Sequence, residues 1–314
     1  MALYRSALPQ LGKNLFLTDG GMETTLIFRD GVDLPEFATF PLLNVPDGAE
    51  LIRNYYRRYL EVARQIGSGL ILDSVTWRAN ARWGAQLGYT PGALAECNRA
   101  AIALLENLRA ETGANPPLVI SGCIGPRGDG YRTDHSLTEA EAAAYHREQI
   151  NTLADTAADM ICAMTMNSAV EATGIARACK EAGMPLVLSF TVETDSRLPS
   201  GQPLLEAIDQ VDTATGGYPA YYMINCAHPT HFSDLLTGRD ERLLRIRGIR
   251  ANASRQSHAE LDESIGLDDG DPVEFGALYA ALKRALPHLT VIGGCCGTDH
   301  RHVSEAGKAC APLF

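Results

Sequence analysis

The sequence contains few features of a membrane, exported or nucleic-acid-binding protein. No apolar run approaches the roughly eighteen residues that a membrane helix needs, and residues Met1 to Gln10 lack the apolar core of a secretory signal. Basic residues are in deficit, with 27 Lys and Arg against 38 Asp and Glu and a formal net charge of −11. They also do not cluster, which makes nucleic acid and anionic membranes poor candidate partners. We therefore expect a cytoplasmic protein that binds neither.

Motifs for two common kinds of site are also missing. The sequence has no G-x-G-x-x-G after its first predicted strand, and Asp19-Gly20-Gly21 alone is too weak a glycine pattern to predict dinucleotide binding. An aldolase-like lyase would need a Schiff-base lysine, or a metal held by histidines and carboxylates, at strand ends. All the lysines fall in predicted helices or before strands, which disfavours the lyase class: Lys13, Lys180, Lys283 and Lys308.

The sequence does contain a repeated pattern of strand and helix. Apolar residues make up 46% of the 314 residues and charged residues 21%, a globular composition. Runs rich in β-branched and aliphatic residues recur, and each is followed by a stretch with helical apolar spacing. The predicted strands are Asn14–Asp19, Gly69–Thr76, Leu118–Cys123, Asp159–Thr165, Pro185–Thr191, Ala220–Cys226, Leu244–Ala251 and Leu289–Cys295.

Helix-start signals lie between these strands, at Asp47, Thr90-Pro91, Thr138 with Glu141 as a capping box, and Asp271-Pro272. Eight strands alternating with helices, without a Gly/Ser-rich or Pro-rich linker, favour one closed (β/α)8 barrel over residues 1–314 rather than a doubly wound sheet or two domains. Two long connections, Gly20 to Pro46 and Asn252 to Gly270, would then lie at the carboxyl end of the barrel. Barrel enzymes form their active sites at that end.

The sharpest local feature is a pair of adjacent cysteines in Gly293-Gly294-Cys295-Cys296-Gly297, at the end of the eighth predicted strand. The glycines allow the backbone to turn so that both thiols can face one point. Cys226 ends the sixth predicted strand, which in a closed barrel lies near the eighth. Three converging thiolates would suit Zn²⁺ with a fourth position open, as in catalytic zinc sites. The alternatives are a vicinal redox pair and packed small residues.

Other candidate ligands are weaker. His228 and His231 could bind a metal, but three thiolates already complete the set. The eight cysteines do not form the dense, loop-rich pattern of a disulfide scaffold, so reduced thiols or a metal site are expected. Cys123 ends the third predicted strand and is a spare thiol near the site. The remaining cysteines are expected to be buried and inert: Cys97, Cys162, Cys179 and Cys310.

The charge of such a site indicates its chemistry. Three thiolates on Zn²⁺ give a net charge of −1, which makes a poor Lewis acid for hydrolysis but can hold an incoming thiol as a thiolate at neutral pH. Because an activated thiolate is a nucleophile, the expected reaction is alkylation of sulfur.

Three segments resemble the signatures of the zinc-dependent homocysteine S-methyltransferases: Asp19-Gly20-Gly21-Met22-Glu23-Thr24-Thr25-Leu26, Asn225-Cys226, and Gly293-Gly294-Cys295-Cys296-Gly297-Thr298. Leu188-Ser189-Phe190-Thr191, Leu198-Pro199-Ser200-Gly201 and Pro203-Leu204 also resemble the family's fifth-strand region, so the resemblance extends nearly end to end. The family includes S-methylmethionine and betaine methyltransferases. The resemblance implies a barrel, zinc bound by the three cysteines, and substrate contacts from Asp19, Gly20, Gly21, Asn225 and Asn252.

The chain departs from the family pattern where many members hold the homocysteine ammonium group. Those members place a glutamate after the fourth strand, whereas this chain has Met164, which cannot accept that hydrogen bond. Glu23 or Glu193, both near predicted strand ends, would take over the role, or the acceptor is a different thiol. The segment from Arg250 to Ser254 keeps the family's asparagine, Asn252, but lacks its neighbouring proline and glycine.

Methyl donors of the family are onium compounds, so a donor pocket is expected to offer aromatic faces or carboxylates. Trp77 closes the second predicted strand and would point to the mouth of the site, although rim packing explains it equally well. Arg78 stands where betaine enzymes have a cage tyrosine; a cation there would repel betaine and favours a sulfonium donor. Phe28, Phe37 and Phe40 in the first long loop are weaker candidates for the donor pocket, and are expected instead to form core under that loop. An acidic loop is expected to be solvated, or else to attract a cationic donor: Glu260, Asp262, Glu263, Asp268, Asp269 and Asp271.

Together these features predict a zinc-thiolate methyltransferase that transfers a methyl group from an onium donor, with S-methylmethionine or a similar sulfonium favoured, to homocysteine or a related thiol. Its partners would be these small molecules, its cofactor Zn²⁺, and its oligomeric state stays open. The alternative is a vicinal-thiol redox or sensing protein on a barrel scaffold. Retention of about one zinc per chain would separate the two hypotheses.

Overall fold

The computed structural model describes residues 1–113, 116–133, 137–264 and 266–314. Its strands are β1 Phe16–Leu17, β2 Gly69–Asp73, β3 Leu118–Ile124, β4 Met160–Met166, β5 Leu186–Thr191, β6 Tyr221–Asn225, β7 Ile246–Ala251 and β8 Val291–Gly294. Each strand pairs in parallel with its sequence neighbours, and β8 pairs back onto β1, so the sheet closes. The predicted (β/α)8 barrel is confirmed.

Helices occupy the connections between the strands. In the described ranges the α-helices are α1 Met22–Phe28, α2 Gly48–Ile66, α3 Ala81–Gln86, α4 Pro91–Thr112, α5 Glu139–Ala154, α6 Ala169–Glu181, α7 Leu204–Thr215, α8 Ser233–Leu236, α9 His258–Glu263, α10 Pro272–Ala285 and α11 His300–Cys310. Short 3-10 helices lie at Pro9–Leu11, Pro35–Phe37, Phe40–Asn44, Pro229–His231, Glu241–Arg245 and Ala311–Leu313. Within those ranges no helix combines the length and apolarity needed to cross a membrane.

The barrel strands are buried on both faces, which explains their nearly continuous apolar sequences. Side chains that point inward form one apolar cluster, including Phe16, Ile71, Val119, Val187 and Val291. Their neighbours along the strands point outward and pack against the helices in a larger cluster, including Leu17, Leu70, Ile120, Leu188 and Ile292.

Three of the four predicted helix starts are confirmed. Thr90 accepts a hydrogen bond from Ala93 N, Thr138 forms the predicted capping box with Glu141, and Asp271 accepts from the second and third residues of α10. Asp47 is the exception. It precedes α2 in a left-handed conformation with φ of 60°, and its side chain caps nothing, so that prediction was wrong in mechanism although the helix begins where expected.

The second predicted strand was too long because side chains replace the backbone ladder at its end. The strand β2 ends at Asp73 rather than at Thr76. Beyond it, the Ser74 hydroxyl accepts a hydrogen bond from Cys123 N at 3.0 Å, and the Thr76 hydroxyl donates to Cys123 O at 2.6 Å. The hydroxyl side chains of Ser74 and Thr76 therefore pair with β3 where the regular strand has ended.

A buried ion pair ties the amino end of the barrel together. Asp159, just before β4, pairs with Arg109 of α4 at 2.7 Å, and both side chains are nearly inaccessible to solvent. The same carboxylate accepts hydrogen bonds from Leu3 N, Tyr4 N and Ile120 N. Both of its oxygens are therefore fully used in holding the N-terminal segment and β3 in place.

Candidate active site

The two long connections cover the carboxyl end of the barrel, as the sequence predicts. Between them lies a cavity of about 460 Å³. Its wall includes Asp19 to Thr24 from the first connection, and Ser254, His258 and Asp268 from the second. Other wall residues come from these two connections, from the carboxyl ends of the strands and from the loops that follow them. A cavity of this size and position is typical of a site for small molecules.

Three cysteines meet at this cavity. The sulfur atoms of Cys226, Cys295 and Cys296 all lie within 4.8 Å of one another, and no other such group of potential ligands occurs in the described ranges. Cys226 Sγ and Cys296 Sγ are 3.9 Å apart. Two thiolates on a tetrahedral zinc ion, with Zn–S bonds of about 2.3 Å, would be separated by about 3.8 Å. The donor set and its spacing therefore fit a zinc ion.

Two of these sulfurs are bonded to each other. Cys226 and Cys295 form a disulfide, while Cys296 and the five other cysteines are free. The sequence predicts reduced thiols or a metal site; six cysteines are free thiols, whereas these two, which belong to the predicted metal site, are joined to each other. The reason is geometric, because an arrangement that brings sulfurs within reach of one ion also brings them within reach of each other. Reduction of this bond by two electrons gives the three thiols of the zinc site.

The backbone around the cysteines is held by the strand between them. Cys226 N donates to Arg250 O at 3.1 Å, and Cys295 N donates to Ala251 O at 2.8 Å. Cys226 adopts a left-handed conformation with φ of 53°, which is strained for a residue with a side chain and is maintained by its surroundings. Gly294 must lack a side chain, because a Cβ there would overlap the Thr298 hydroxyl.

The glycine turn after β1 packs directly against the cysteine loop. A Cβ on Gly21 would overlap the carbonyl of Cys295, and a Cβ on Gly20 would lie 2.8 Å from the carbonyl of Thr298. Gly21 N also donates to Thr298 O at 3.0 Å. The two glycines thus bring the Asp19 turn beside the cysteines, and both line the cavity with Asp19.

Asn225 lies behind the cavity wall and shapes it. Its Oδ1 accepts hydrogen bonds from Thr165 N at 3.0 Å and from the Ser189 hydroxyl at 2.6 Å, and its Nδ2 donates to the Thr165 hydroxyl at 2.8 Å. Thr165 has a φ of 60°, an unusual conformation for a β-branched residue. Asn225 therefore stabilises the irregular end of β4, and its Nδ2 lies 3.9 Å from Cys295 Sγ.

A buried arginine connects three strand ends inside the cavity. Arg250 of β7 pairs with Asp19 after β1 and with Asp73 at the end of β2, and we refer to these three residues as the Arg250 cluster. The Nε of Arg250 also donates to Gly294 O at 3.1 Å. Burial raises the pKa of the Asp19 carboxyl to about 6, although Arg250 opposes this effect. Tyr55 donates to the second oxygen of Asp19 at 3.1 Å.

The two carboxylates expected to replace the missing glutamate lie in different places. Glu23 lines the cavity with Met164, and its Oε1 accepts a hydrogen bond from the Thr39 hydroxyl at 2.9 Å. Burial raises its pKa. Glu193 does not line the cavity; it contacts His258 Nδ1 at 3.2 Å.

Asn252, which the resemblance implies as a substrate contact, is buried beside Ala227 rather than in the cavity wall. Its backbone N–H donates to Ala227 O at 3.0 Å. Its side-chain Oδ1 has no hydrogen-bond partner in the part of the chain that the structure describes.

One side of the cavity is aromatic. Trp77 lines it, and the Trp77 indole N–H donates to Met164 O at 3.4 Å. The Arg78 guanidinium lies 4.9 Å from the ring centre of Trp77 and 3.9 Å from that of Trp83.

Phe28 and Phe37 also line the cavity, so their prediction as core was wrong, whereas Phe40 is fully buried as expected. Phe37 and its neighbour Glu36 both adopt a left-handed conformation with φ of 53°.

Tyr131 and His258 close the cavity above the cysteines. Their rings are tilted by 32° with centres 4.0 Å apart, and the Tyr131 hydroxyl is 3.9 Å from Cys296 Sγ. The His258 Nε2 contacts the carbonyl of Cys226. Burial raises the pKa of Tyr131 well above its usual value, so its hydroxyl keeps its proton at neutral pH.

The histidines and the spare thiols lie where the sequence placed them. His228 begins a 3-10 helix by accepting from Thr230 N, and His231 contacts the carbonyl of Arg255, so neither belongs to the sulfur group. Cys123 lines the cavity, and burial raises its pKa well above the usual value. The remaining free thiols are buried: Cys97, Cys162, Cys179 and Cys310.

The acidic loop divides into two parts. Asp262 and Asp268 line the cavity. Asp269 instead pairs with Arg29 and Arg301, and Asp271 caps α10. Only a fraction of the loop's charge is therefore available to a ligand.

Sequence reasoning missed four residues of this site: Asp73, Tyr55, Tyr131 and His258. It also quoted Arg250 without assigning it a role. One signal could have found the Arg250 cluster, because a charged residue within an apolar barrel strand needs a buried partner of opposite charge. Nothing comparable marks Tyr131, which lies in the loop after β3, or His258, which is the first residue of α9.

Fold and site together define a barrel enzyme with a cysteine-lined pocket at the carboxyl ends of its strands. The family model described as "Homocysteine S-methyltransferase" matches residues 16–310. The chain therefore belongs to this family and is a methyltransferase.

Individual relatives are distant but cover most of the chain. "Homocysteine S-methyltransferase 4" of Zea mays is 24% identical over 93% of this chain and 88% of its own length. "Homocysteine S-methyltransferase YbgG" of Bacillus subtilis is 25% identical over 60% of this chain and 61% of its own. The oxidized form of the homocysteine methyltransferase MmuM from Escherichia coli has a similar fold, with a TM-score of 0.74 and 21% identity over 96% of this chain and 97% of that one.

Proposed function

We propose that this protein is a zinc-thiolate methyltransferase that transfers a methyl group from an onium donor to homocysteine or a related thiol, with methionine as the product from homocysteine. The observation that carries the proposal is the convergence of three cysteine sulfurs on one point of the cavity wall. S-methylmethionine or a similar sulfonium is the favoured donor.

After reduction, Cys226, Cys295 and Cys296 would hold the zinc ion as thiolates. A zinc ion there would supply a position at which a substrate thiol loses its proton and stays nucleophilic at neutral pH. Burial raises the pKa of the Cys296 thiol to about 11 in the metal-free chain. Without a metal this sulfur therefore remains a protonated thiol, and it is a poor nucleophile in its own right.

The residues around the cavity would position the donor and exclude water. Trp77, Phe37 and Phe28 offer aromatic faces, which attract onium groups. Asp262 and Asp268 add negative charge to the same wall. Arg78 lies over Trp77 and faces the cavity, so a donor with a fixed cation close to that end would be repelled. This arrangement supports an onium donor whose positive charge lies toward the acidic side, away from Arg78.

On the acceptor side, the Asp19-Gly20-Gly21 turn places an anionic group and bare backbone beside the cysteines. Glu23, one turn further along the chain, contributes a second carboxylate to the wall. An amino acid acceptor carries an ammonium group that these carboxylates can receive by charge-assisted hydrogen bonds. Asn225 would act indirectly, by holding the end of β4 against the cysteine loop.

A donor screen tests the proposal directly. The reduced protein is loaded with zinc, dialysed exhaustively, and incubated with homocysteine and one donor at a time: S-methylmethionine, betaine or dimethylsulfoniopropionate. We expect retention of about one zinc per chain and methionine formation with a sulfonium but not with betaine. A protein that retains no zinc and methylates no thiol would contradict the proposal and favour the redox alternative.

A further inference from the structure

A buried histidine beside the cysteines has no part in the proposed reaction. His258 is the first residue of α9, in the second long connection, and only 7% of its side chain is exposed. Its Nε2 lies 2.5 Å from the carbonyl oxygen of Cys226, and its Nδ1 lies 3.2 Å from Oε1 of Glu193. The ring is therefore held between the backbone of a proposed metal ligand and a carboxylate that follows β5.

The contact between His258 and Cys226 has a fixed direction. A carbonyl oxygen only accepts hydrogen bonds, so Nε2 of His258 carries the hydrogen and donates it. In the described part of the chain, the other donor to this carbonyl is the Thr191 hydroxyl at 3.5 Å, which is longer than a normal O–H···O bond. His258 therefore supplies the main hydrogen bond of the Cys226 carbonyl.

This carbonyl helps to set the position of the Cys226 sulfur. Cys226 has a left-handed φ of 53°, a conformation that a residue with a side chain keeps only where its surroundings impose it. The barrel holds one side of the residue, where Cys226 N donates to Arg250 O at 3.1 Å. The other side is held by His258. The direction of the Cys226 side chain toward Cys296 thus depends on both contacts.

Tyr131 supports the histidine ring and reaches a second proposed ligand. The two ring centres are 4.0 Å apart, and the Tyr131 hydroxyl lies 3.9 Å from Cys296 Sγ. The loop that carries Tyr131 is fixed by Asn167, whose Nδ2 donates to Asp129 O at 2.9 Å and to Gly130 O at 3.1 Å. The aromatic pair therefore joins the loop after β3 to the second connection, beside two of the three sulfurs.

Building on the proposed zinc site, we propose that His258 is a positioning residue for the metal ligands: its Nε2–H fixes the carbonyl of Cys226, and its ring rests on Tyr131, so that the Cys226 sulfur keeps the spacing that a zinc ion requires. His258 acts through Cys226 and is not itself a ligand. The second connection thereby becomes part of the metal site, because α9 provides this hydrogen bond.

Two substitutions separate the hydrogen bond from the ring. His258→Gln keeps an amide N–H that can take the place of Nε2–H, whereas His258→Phe keeps a ring against Tyr131 and has no donor. Because outer hydrogen-bond partners hold metal ligands in place, His258→Phe should lower the zinc affinity of the reduced protein about ten- to a hundredfold. His258→Gln should bind zinc nearly as tightly as the wild-type protein. Chelator competition measures the affinities.

Two results of this competition would overturn the proposal. Unchanged zinc affinity in His258→Phe would show that the hydrogen bond to Cys226 does not hold the ligand. Equal losses in His258→Phe and His258→Gln would show that the donor is not what the site needs.

The probe is zinc alone, so this proposal and the proposed function can fail separately. A wild-type protein that binds zinc but methylates no thiol would defeat the proposed function, and the zinc affinities of the two variants would still decide the role of His258. A wild-type protein that binds no zinc would overturn both.

Cobalt substitution adds a readout that a general loss of stability does not move. Co²⁺ bound by thiolates shows a charge-transfer absorption band whose intensity follows the number of coordinated sulfurs. In the metal-saturated proteins this band should be weaker in His258→Phe than in the wild type, and His258→Gln should restore it. Identical bands in His258→Phe and the wild type would overturn the proposal, because the sulfurs would then be positioned without the histidine.

The variants should fold, because α9 begins with a capping box of Ser257 and Glu260 that does not use the His258 side chain. His146→Phe is the matched control. His146 is also buried, pairs with a glutamate, Glu171, at 2.8 Å and contacts a tyrosine ring, but it does not line the cavity. His146→Phe should keep wild-type zinc affinity. A loss as large as that of His258→Phe would make the effect one of general stability, and the proposal would be wrong.

Discussion

The two ends of the barrel each contain a buried arginine paired with aspartate. The two sites differ in their balance of charge and in whether they line the cavity. At the amino end, Asp159 Oδ2 binds Arg109 and Ile120 N, while Oδ1 binds Leu3 N and Tyr4 N. Every acceptor position there serves the protein itself. Such a site closes the fold and offers nothing to a ligand.

At the carboxyl end, the Arg250 cluster has one cation for two carboxylates, and all three of its residues line the cavity. The backbone there is also strained, with left-handed conformations at Cys226 and Thr165. The difference teaches that a buried arginine–aspartate pair can serve the fold alone at one end of the barrel and form part of the cavity wall at the other.

The largest effect is expected from the cysteines, which exist only at the carboxyl end. Cys226→Ser, Cys295→Ser and Cys296→Ser should each lose most of the bound zinc and reduce activity more than about a hundredfold, because loss of one of three ligands leaves a weakly held ion. Metal analysis of the reduced, dialysed proteins measures this. Cys97→Ser, in α4 and away from the cavity, should keep its zinc. Stoichiometric zinc in all three site variants would show that the proposed ligands are wrong.

The comparison predicts losses of stability of different size for the two aspartates. Asp159→Asn should lower the free energy of unfolding by about 3–5 kcal/mol, because it leaves Arg109 buried without a countercharge. Asp73→Asn should cost much less, about 1 kcal/mol or below, since Asp19 still compensates Arg250. Denaturant unfolding of the two variants measures the difference. Similar losses in both would mean that the carboxyl-end cluster is also structural.

Zinc binding should depend strongly on pH. The Cys296 pKa is raised to about 11 by burial, so this thiol is protonated at neutral pH and must lose its proton to become a ligand. The apparent zinc affinity of the reduced protein should therefore rise at least about tenfold for each pH unit between pH 6 and 8. Competition with a chelator at several pH values measures the slope. A flat profile would indicate that Cys296 is not a ligand.

The smallest effect is expected at Glu23. Because this side chain is half-buried and already bonded to Thr39, Glu23→Gln should raise the homocysteine KM by about tenfold at most while sparing zinc. The same substitution should change the KM for 2-mercaptoethanol, which lacks an amino group, much less. Initial-rate kinetics with both thiols decide this point. An unchanged KM for homocysteine would show that Glu23 does not hold the ammonium group.

Much of this architecture was predictable because it depends on local patterns. The alternation of buried strands and amphipathic helices predicts the barrel, and the glycine-framed Cys295 and Cys296 predict a thiol site at a strand end. The Thr138 capping box is equally local. Each of these features involves residues close together in the chain, whose spacing carries the information.

The less predictable parts involve residues brought together by barrel closure. Asp73 and Arg250 are 177 positions apart, and only the closed sheet places them in contact. The disulfide between Cys226 and Cys295 joins residues 69 positions apart. The sequence predicts that Trp77 closes the second strand, but β2 ends at Asp73. Beyond it, the Ser74 and Thr76 hydroxyls form hydrogen bonds with the backbone of Cys123.

The sequence by itself determined the eight-fold repeat of strand and helix, the family, and the three cysteines at strand ends. The tertiary structure alone decided which side chains face the cavity and which of their polar atoms remain unpaired. The physical reason is that side-chain direction beyond a strand end depends on single backbone angles, such as the left-handed φ of Cys226. Those angles are maintained by hydrogen bonds from distant strands, as Asn225 maintains Thr165, and no local pattern in the chain specifies them.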